Sequence, residues 1–378
     1  MTRIRVGVVG LGLITQGVHL PNLETLRAEF EVTHVCDASP SLAQAVAAGL
    51  PGDVTASTDW GAVVADPRVE AVMILTPGSH GEVAAAALRA GKHVFAEKPL
   101  AHSRAEITDL ISLAEDLDLV LQVGTMKAHD DLIEPARSAL EHIGSLRVVR
   151  VTVLHPTDEC QFEHVDLIPA ASPDAEVVRA GREYTESRND EAMGDSALGV
   201  RLLYADVLLG SVIHEMALLR ALELGLPQSW DFVSVDPMLT DNRAPEPPRI
   251  MAIGQLPGGA QLQLSWNWVP DYPEYDEEVK VIGSAGRVTL TMPGPYLADH
   301  RAHLTVETAS GDTRHRDDIT SGHTTAFVRE LQAFAASVRH GAPVLCTAQG
   351  ALEDVACLQR LAAQAGRQAG LRVGGEAA

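Results

Sequence analysis

The stretch Gly91-Lys92-His93-Val94-Phe95-Ala96-Glu97-Lys98-Pro99-Leu100 sets a carboxylate and an amine at the end of a short apolar run. Val94-Phe95-Ala96 has the composition of a buried parallel strand, and a strand that stops on charge points that charge at a crevice. In open α/β sheets the crevice beyond the carboxyl ends of the strands is where ligands bind. Among 29 lysines and arginines, only Lys92, Lys98, Lys127 and Lys280 are lysines. Burial can lower the pKa of a lysine enough for proton transfer, whereas a guanidinium stays charged. Lys98 therefore reads as a group that moves a proton; the alternative is a surface salt bridge at a strand end.

A second motif lies near the start. Ile4 to Val9 alternates as a strand, and Gly10-Leu11-Gly12-Leu13-Ile14-Thr15 follows at once, with Leu13 and Ile14 opening a helix that runs to about Arg27. In the pattern G-x-G-x-x-G the first glycine permits a tight turn and the second lets the backbone approach a pyrophosphate at the helix N-terminus. Thr15 stands where the third glycine would, which weakens the helix packing argument and leaves the phosphate argument intact. Asp37 ends a second predicted strand, Glu31 to Cys36, at the spacing of an acid that accepts hydrogen bonds from the adenosine ribose. A carboxylate there repels a 2′-phosphate, and no arginine follows in Ala38-Ser39-Pro40, so NAD is expected over NADP. The alternative role for Asp37 is a cap on the next helix.

Strand and helix patterns then alternate. Predicted strands at 54–56, 70–75, the run into Glu97, and 119–123 are separated by helical stretches, among them Ser79 to Ala90 with Gly91 as its stop. Such alternation predicts an α/β fold, a doubly wound parallel sheet over residues 1–124. At 378 residues a second domain is expected. The net charge of −22 excludes nucleic acid and anionic membrane as partners. The N-terminus carries no signal-like segment, and no apolar run approaches the ~20 residues of a membrane span. Four scattered cysteines suit a reducing cytoplasm, with neither a disulfide framework nor a thiolate metal site; no metal is expected.

With these residues in place, the chain resembles the Gfo/Idh/MocA family, oxidoreductases related to glucose-fructose oxidoreductase and inositol dehydrogenase. The resemblance runs through Gly10-Leu11-Gly12, Asp37, Thr76-Pro77 with His80, Gly91-Lys92-His93 and Glu97-Lys98-Pro99, and resumes at a helix containing His214. It implies that Lys98 lies near the nicotinamide and the carbon that exchanges hydride, that Glu97 sits by the nicotinamide ribose, and that Thr76, Pro77 and His80 border the cofactor channel. It also implies a second domain built on a large, mostly antiparallel sheet whose outer face commonly meets a partner subunit in a homodimer or homotetramer. His214 is implied to meet the substrate hydroxyl. Relatives carry an aspartate four residues before that histidine, where this chain has Gly210; Tyr204 or Asp206 is a possible substitute.

The second domain is expected over 125–366, with its last helices packing back on the first, and a loose tail over 367–378. Lys127 is a candidate substrate contact, or else a solvated loop charge. The segment His155-Pro156-Thr157-Asp158-Glu159-Cys160 reads as a polar loop over a sugar site, with His155 and Glu159 as its candidate ligands. Pro169 to Asp195 reads as irregular, a lid or an arm to a neighbouring subunit. Trp266 and Trp268 share a sheet face, as a platform for a sugar ring or as packing. The expected function is NAD-dependent hydride transfer to or from a secondary alcohol of a sugar, cyclitol or glycoside. The alternatives are redox-assisted glycoside cleavage and a non-catalytic NAD- and sugar-binding regulator.

Overall fold

The computed structural model describes residues 3–157, 159–238, 247–297 and 300–378, without the side chains of Glu159 and Ser310. The chain forms two compact units. The first comprises Met1–Met126, Val165–Ala192 and Phe327–Leu352, and the second Lys127–His164, Met193–Ala326 and Glu353–Ala378.

In the first unit six strands, β1 (Ile4–Val9), β2 (Phe30–Cys36), β3 (Thr55–Ser57), β4 (Ala71–Ile74), β5 (His93–Glu97) and β6 (Leu121–Gly124), form a parallel sheet in the order 3-2-1-4-5-6. β4 is buried along its whole length, as are Val94, Phe95 and Ala96, because helices cover both faces. The order reverses between β1 and β4, which makes their carboxyl ends the topological switch point where such sheets bind ligands. One cover is the helix Ala326–His340, whose Phe334 packs edge-on against Phe95 at 5.7 Å. This helix belongs to the first unit, whereas most of the next, Ala348–Gln368, belongs to the second.

The stretch expected to be irregular contains a 19-residue helix, Ala175–Met193. Its sequence has no apolar stripe to announce it. It docks instead through polar groups: Asn189 Oδ1 hydrogen-bonds His102 Nδ1 at 2.7 Å, Glu191 accepts from Ser103 Oγ at 2.7 Å, and the Tyr184 hydroxyl donates to Glu106. Residues 165–192 therefore belong to the nucleotide-binding unit, not to a continuous second domain.

In the second unit β7 (Leu146–His155), β8 (Trp230–Asp236), β9 (Arg249–Gln255), β10 (Gln261–Trp268), β11 (Asp276–Gly283), β12 (Gly286–Met292), β13 (His303–Ser310) and β14 (Thr313–Thr320) form a sheet in the order 14-13-12-11-7-10-9-8. Every pairing is antiparallel except β7 with β10. Alternate residues such as Val149, Val151 and Val153 are buried, and their neighbours are at least partly exposed. A continuous helix, Leu198–Ala221, is long and apolar enough to cross a membrane, contrary to the expectation from the sequence, but most of it is buried in the protein and serves as core. The supposed loose tail is also docked: Gly374 N donates to Ser196 Oγ at 2.8 Å, and Glu376 accepts from Gln359 Nε2 at 2.7 Å.

Candidate active site

The glycine turn after β1 is dictated by steric crowding. Gly10 has φ +91°, and a Cβ on it would lie 2.8–2.9 Å from the backbone of Leu75 and Thr76 at the end of β4. Gly12 has the opposite surroundings: a Cβ there would meet no protein atom within 4 Å. One glycine closes the turn and the other leaves bare backbone facing open space, the cradle a pyrophosphate needs. Leu13 and Ile14 begin the helix that follows. Thr15, at the third glycine position, is fully buried and donates its hydroxyl to Gly10 O at 2.7 Å, so it ties the helix to the turn instead of merely filling space. The helix continues through a π-helical stretch, Thr15–His19, into Leu20–Thr25.

Asp37 stands at the end of β2, next to this turn. Its Oδ2 accepts from Leu11 N at 2.9 Å and its Oδ1 from Ser39 N at 2.8 Å, while the cap on the following helix comes from Ser39. The carboxylate is therefore held at the mouth of the turn and does not act as the helix cap. Thr76 and Pro77 follow β4. His80 is buried behind them, with Nε2 donating to Thr76 O at 2.6 Å; burial lowers its pKa, so the ring is neutral. His80 thus shapes the turn from behind.

At the end of β5, Glu97 is fixed on two sides. Its Oε1 accepts from His19 Nε2 at 2.8 Å and its Oε2 from Lys98 N at 3.1 Å. Burial raises the carboxyl pKa, but the His19 hydrogen bond and the charges of His19 and Lys98 outweigh it and leave the group below its ordinary value. Gly124, its partner on β6, leaves room for it, since a Cβ there would come within 3.1–3.2 Å of Glu97 and crowd it. Gly10, Gly12, Leu13, Ile14, Asp37, Thr76, Pro77, Glu97 and Lys98 all lie at the carboxyl ends of β1, β2, β4 and β5. His19 was not foreseen, because nothing local marks a buried histidine on an apolar helix as the partner of an acid 78 residues away.

These features fit a dinucleotide, and comparison with known proteins agrees. Residues 4–125 match the model of the Gfo/Idh/MocA oxidoreductase family, described as an NAD-binding Rossmann fold. Inositol 2-dehydrogenase of Rhizobium meliloti (strain 1021) is 26% identical over 348 residues, 90% of each chain. Residues 4–125 are the NAD-binding domain of the Gfo/Idh/MocA oxidoreductase family. Inositol 2-dehydrogenase/D-chiro-inositol 3-dehydrogenase of Lactiplantibacillus plantarum is 38% identical over 125 residues, 32% of this chain and 35% of that one. A 3-ketoreductase from Actinomadura kijaniata, solved with TDP-benzene and NADP, shares the fold with a TM-score of 0.69 at 22% identity, over 95% of this chain and 97% of that one. The family match makes the first unit an NAD-binding Rossmann domain of an oxidoreductase family.

The second unit gathers three of the expected substrate residues at one end of its sheet. Lys127 is not a solvated charge: it is buried, 3.3 Å from Glu215 Oε1, 3.3 Å from the Tyr275 hydroxyl, and ion-paired with Glu277. Tyr275 donates to Glu277 Oε2 at 2.5 Å and meets the His155 ring edge-on at 5.5 Å, and that ring stacks on Trp268 at 5.4 Å. Burial pushes the Glu215 carboxyl up to about 7, with the Lys127 ammonium offsetting part of the effect. Trp266 is buried with its Nε1 spent on Ser211 Oγ at 2.8 Å, so it packs and offers no free face; Trp268 is the more open of the pair. Tyr204 is likewise corrected: it is fully buried, and its hydroxyl accepts from Gln359 Nε2 at 3.4 Å, which makes it a packing group and not a replacement for the family aspartate. At Gly210 a Cβ would meet nothing within 4 Å, so the space left by that aspartate is open. His214 is partly exposed on the same helix, next to Glu215. Glu159 begins a short helix, and its side chain lies outside the described residues.

One further buried acid appears in the first unit. Glu330 is fully buried, and among the described residues no side chain pairs with its carboxyl; only the Thr125 backbone approaches it. Burial, reinforced by the charge of Glu97, raises its pKa well above the ordinary value, so the folded protein holds a proton that the unfolded chain releases in the usual carboxylate range. Stability is therefore lost as pH rises from that range toward neutrality. Glu330→Gln is expected to melt at a higher temperature than the parent at about pH 8, the difference vanishing near pH 4. Thermal melts across that range check it; a variant no more stable than the parent at about pH 8 would show that Glu330 is ionised in the fold.

Proposed function

We propose that this protein is an NAD-dependent dehydrogenase of a secondary alcohol on a sugar, cyclitol or glycoside. The observation that carries the reading is the end of β5: a lysine follows a glutamate anchored by His19, on the strand next to the sheet's switch point between β1 and β4, where the glycine cradle is open. A nicotinamide held there supplies reversible hydride exchange with a carbinol carbon. Lys98 holds or takes the hydroxyl proton. Glu97, kept anionic, accepts hydrogen bonds from ribose hydroxyls. Asp37 does the same at the adenosine end, and its charge favours NAD over NADP. His214 is proposed to hydrogen-bond the substrate hydroxyl.

The relative that is similar over 90% of both chains is an inositol dehydrogenase, which puts cyclitols first among candidate substrates. A cytoplasmic setting is part of the proposal, supported by four scattered cysteines, three of them buried. Assembly through the outer face of the second sheet, where Phe232 and Met251 are exposed, is part of the same proposal.

The experiment is an absorbance screen for NADH formation with the purified protein against inositols, sugars, sugar phosphates, nucleotide sugars and glycosides. A cyclitol or sugar that reduces NAD in preference to NADP is the expected result. Aglycone release from a glycoside without net NADH would replace dehydrogenation by redox-assisted cleavage.

A further inference from the structure

The segment that leads into the helix Ala175–Met193 crosses the nucleotide-binding unit at its adenosine end. Ile168 is clasped by Gln16, whose Nε2 donates to Ile168 O at 3.2 Å while its Oε1 accepts from Ile168 N at 2.8 Å. Gln16 lies on the first turns of the helix after the glycine motif, and the same Nε2 reaches Leu11 O at 2.8 Å. Three residues on, Ala171 O accepts from Ser39 Oγ at 2.7 Å and from Ser41 Oγ at 3.3 Å. Asp174 N then donates to Ala38 O at 2.7 Å. The chain is thus tied to the glycine loop on one side and, on the other, to the residues that directly follow Asp37.

Residues 166–177 are exposed throughout, Leu167 and Ile168 to 40% and 41%. The crossing is held by hydrogen bonds at Ile168, Ala171 and Asp174, with no fully buried side chain among its residues. A segment with that balance opens at low cost.

We propose that residues 166–174 are a strap closing the adenosine end of the dinucleotide groove, and that this strap, with Asp37, excludes the 2′-phosphate of NADP. The inference rests on the dinucleotide reading above. The two hydroxyls that follow Asp37, which could otherwise donate to a phosphate in place of the absent arginine, are committed to a strap carbonyl. A phosphate beside the ribose would meet the Asp37 carboxylate and that carbonyl oxygen. NAD needs none of these donors, and its ribose hydroxyls can donate to Asp37. The strap lifts for entry and settles over the bound adenosine.

The test is a fluorescence titration of NADH and NADPH on the full-length protein and three variants: Asp37→Ser, the pair Gln16→Ala with Ser41→Ala, and all three together. Ser39 is left intact because it caps the helix Pro40–Gly49. Asp37→Ser alone is expected to keep at least about a tenfold preference for NADH; loosening the strap as well should bring the two affinities within about threefold. Parity in Asp37→Ser alone, or a triple variant no less selective than Asp37→Ser, would overturn the proposal. Amide hydrogen exchange on the unaltered protein supplies an independent arm: NADH should slow exchange across 166–174, and unchanged exchange there with NADH bound would also overturn it. If the unaltered protein binds neither dinucleotide, the cofactor reading fails and the strap proposal with it; NADH binding with strap-independent selectivity removes the strap alone.

Discussion

Lys98→Ala protein is expected to turn over its alcohol about 10²–10⁴-fold more slowly than the parent while binding NADH with an affinity changed by less than about threefold. The lysine follows a strand whose interior is wholly buried, so its backbone is fixed by the sheet and not by its own side chain. Removing the amine leaves the glycine turn, Asp37 and the His19–Glu97 pair in place, and these are the groups proposed to bear on the cofactor. Only the proposed proton carrier is lost. Lys98→Arg sharpens the test, because a guanidinium keeps the charge and cannot release a proton at any accessible pH. It should be nearly as slow as the alanine variant if proton transfer is the role, and substantially active if charge alone suffices. Stopped-flow turnover and a separate NADH titration distinguish the two; an alanine variant that retains most of its turnover would remove Lys98 from the reaction.

The largest effect on stability is expected at Lys127. It is the shared cation of Glu215 and Glu277, all three being buried in the second unit. Lys127→Met would leave two carboxyls facing each other without a counterion, at a cost of about 3–5 kcal/mol, the range found when one member of a buried ion pair is removed. Burial lowers the pKa of Lys127, but the two carboxylates outweigh it and hold the ammonium above its ordinary value, so the positive charge is present at every pH at which the protein folds. Glu215→Gln should cost much less. Its pKa is raised to about 7, so near neutrality the folded state already carries much of its population protonated there. Because the folded pKa lies above the unfolded value, ionised Glu215 withdraws stability as pH climbs toward and past about 7, and the glutamine variant should be the less pH-sensitive of the two. Urea unfolding of both variants and of Lys127→Met with Glu277→Gln checks this. The double variant should recover part of the loss, and a Lys127→Met protein as stable as the parent would mean that the cluster is not ion-paired.

Much of the first unit was legible because its signals are local. β-branched and apolar runs bounded by glycine or charge predict β1 and β2 within a residue or so of where they lie, and alternation places β9 and β10 at their observed limits. Gly10 and Gly12 carry their meaning in one turn of chain. The exposed edge strand β14, Thr-Arg-His-Arg-Asp-Asp-Ile-Thr, has no buried face and so no apolar pattern; it exists through its pairing with β13, which only the fold supplies. The helix Ala175–Met193 escaped for the same reason, since its docking runs through Asn189, Glu191 and Tyr184 and not through an apolar stripe.

By itself, then, the order of residues determined a doubly wound nucleotide-binding sheet and the lysine at the tip of β5, because backbone periodicity and turn chemistry act between neighbours; the second, mostly antiparallel sheet was implied by the family resemblance. Which charges would be buried together was decided only in three dimensions. His19 meets Glu97, Lys127 meets Glu215 and Glu277, Glu330 is left to keep its proton, and a polar segment is drawn across the residues after Asp37. The physical reason is that burial energies of polar groups depend on partners tens to hundreds of residues away, and no local pattern encodes those distances.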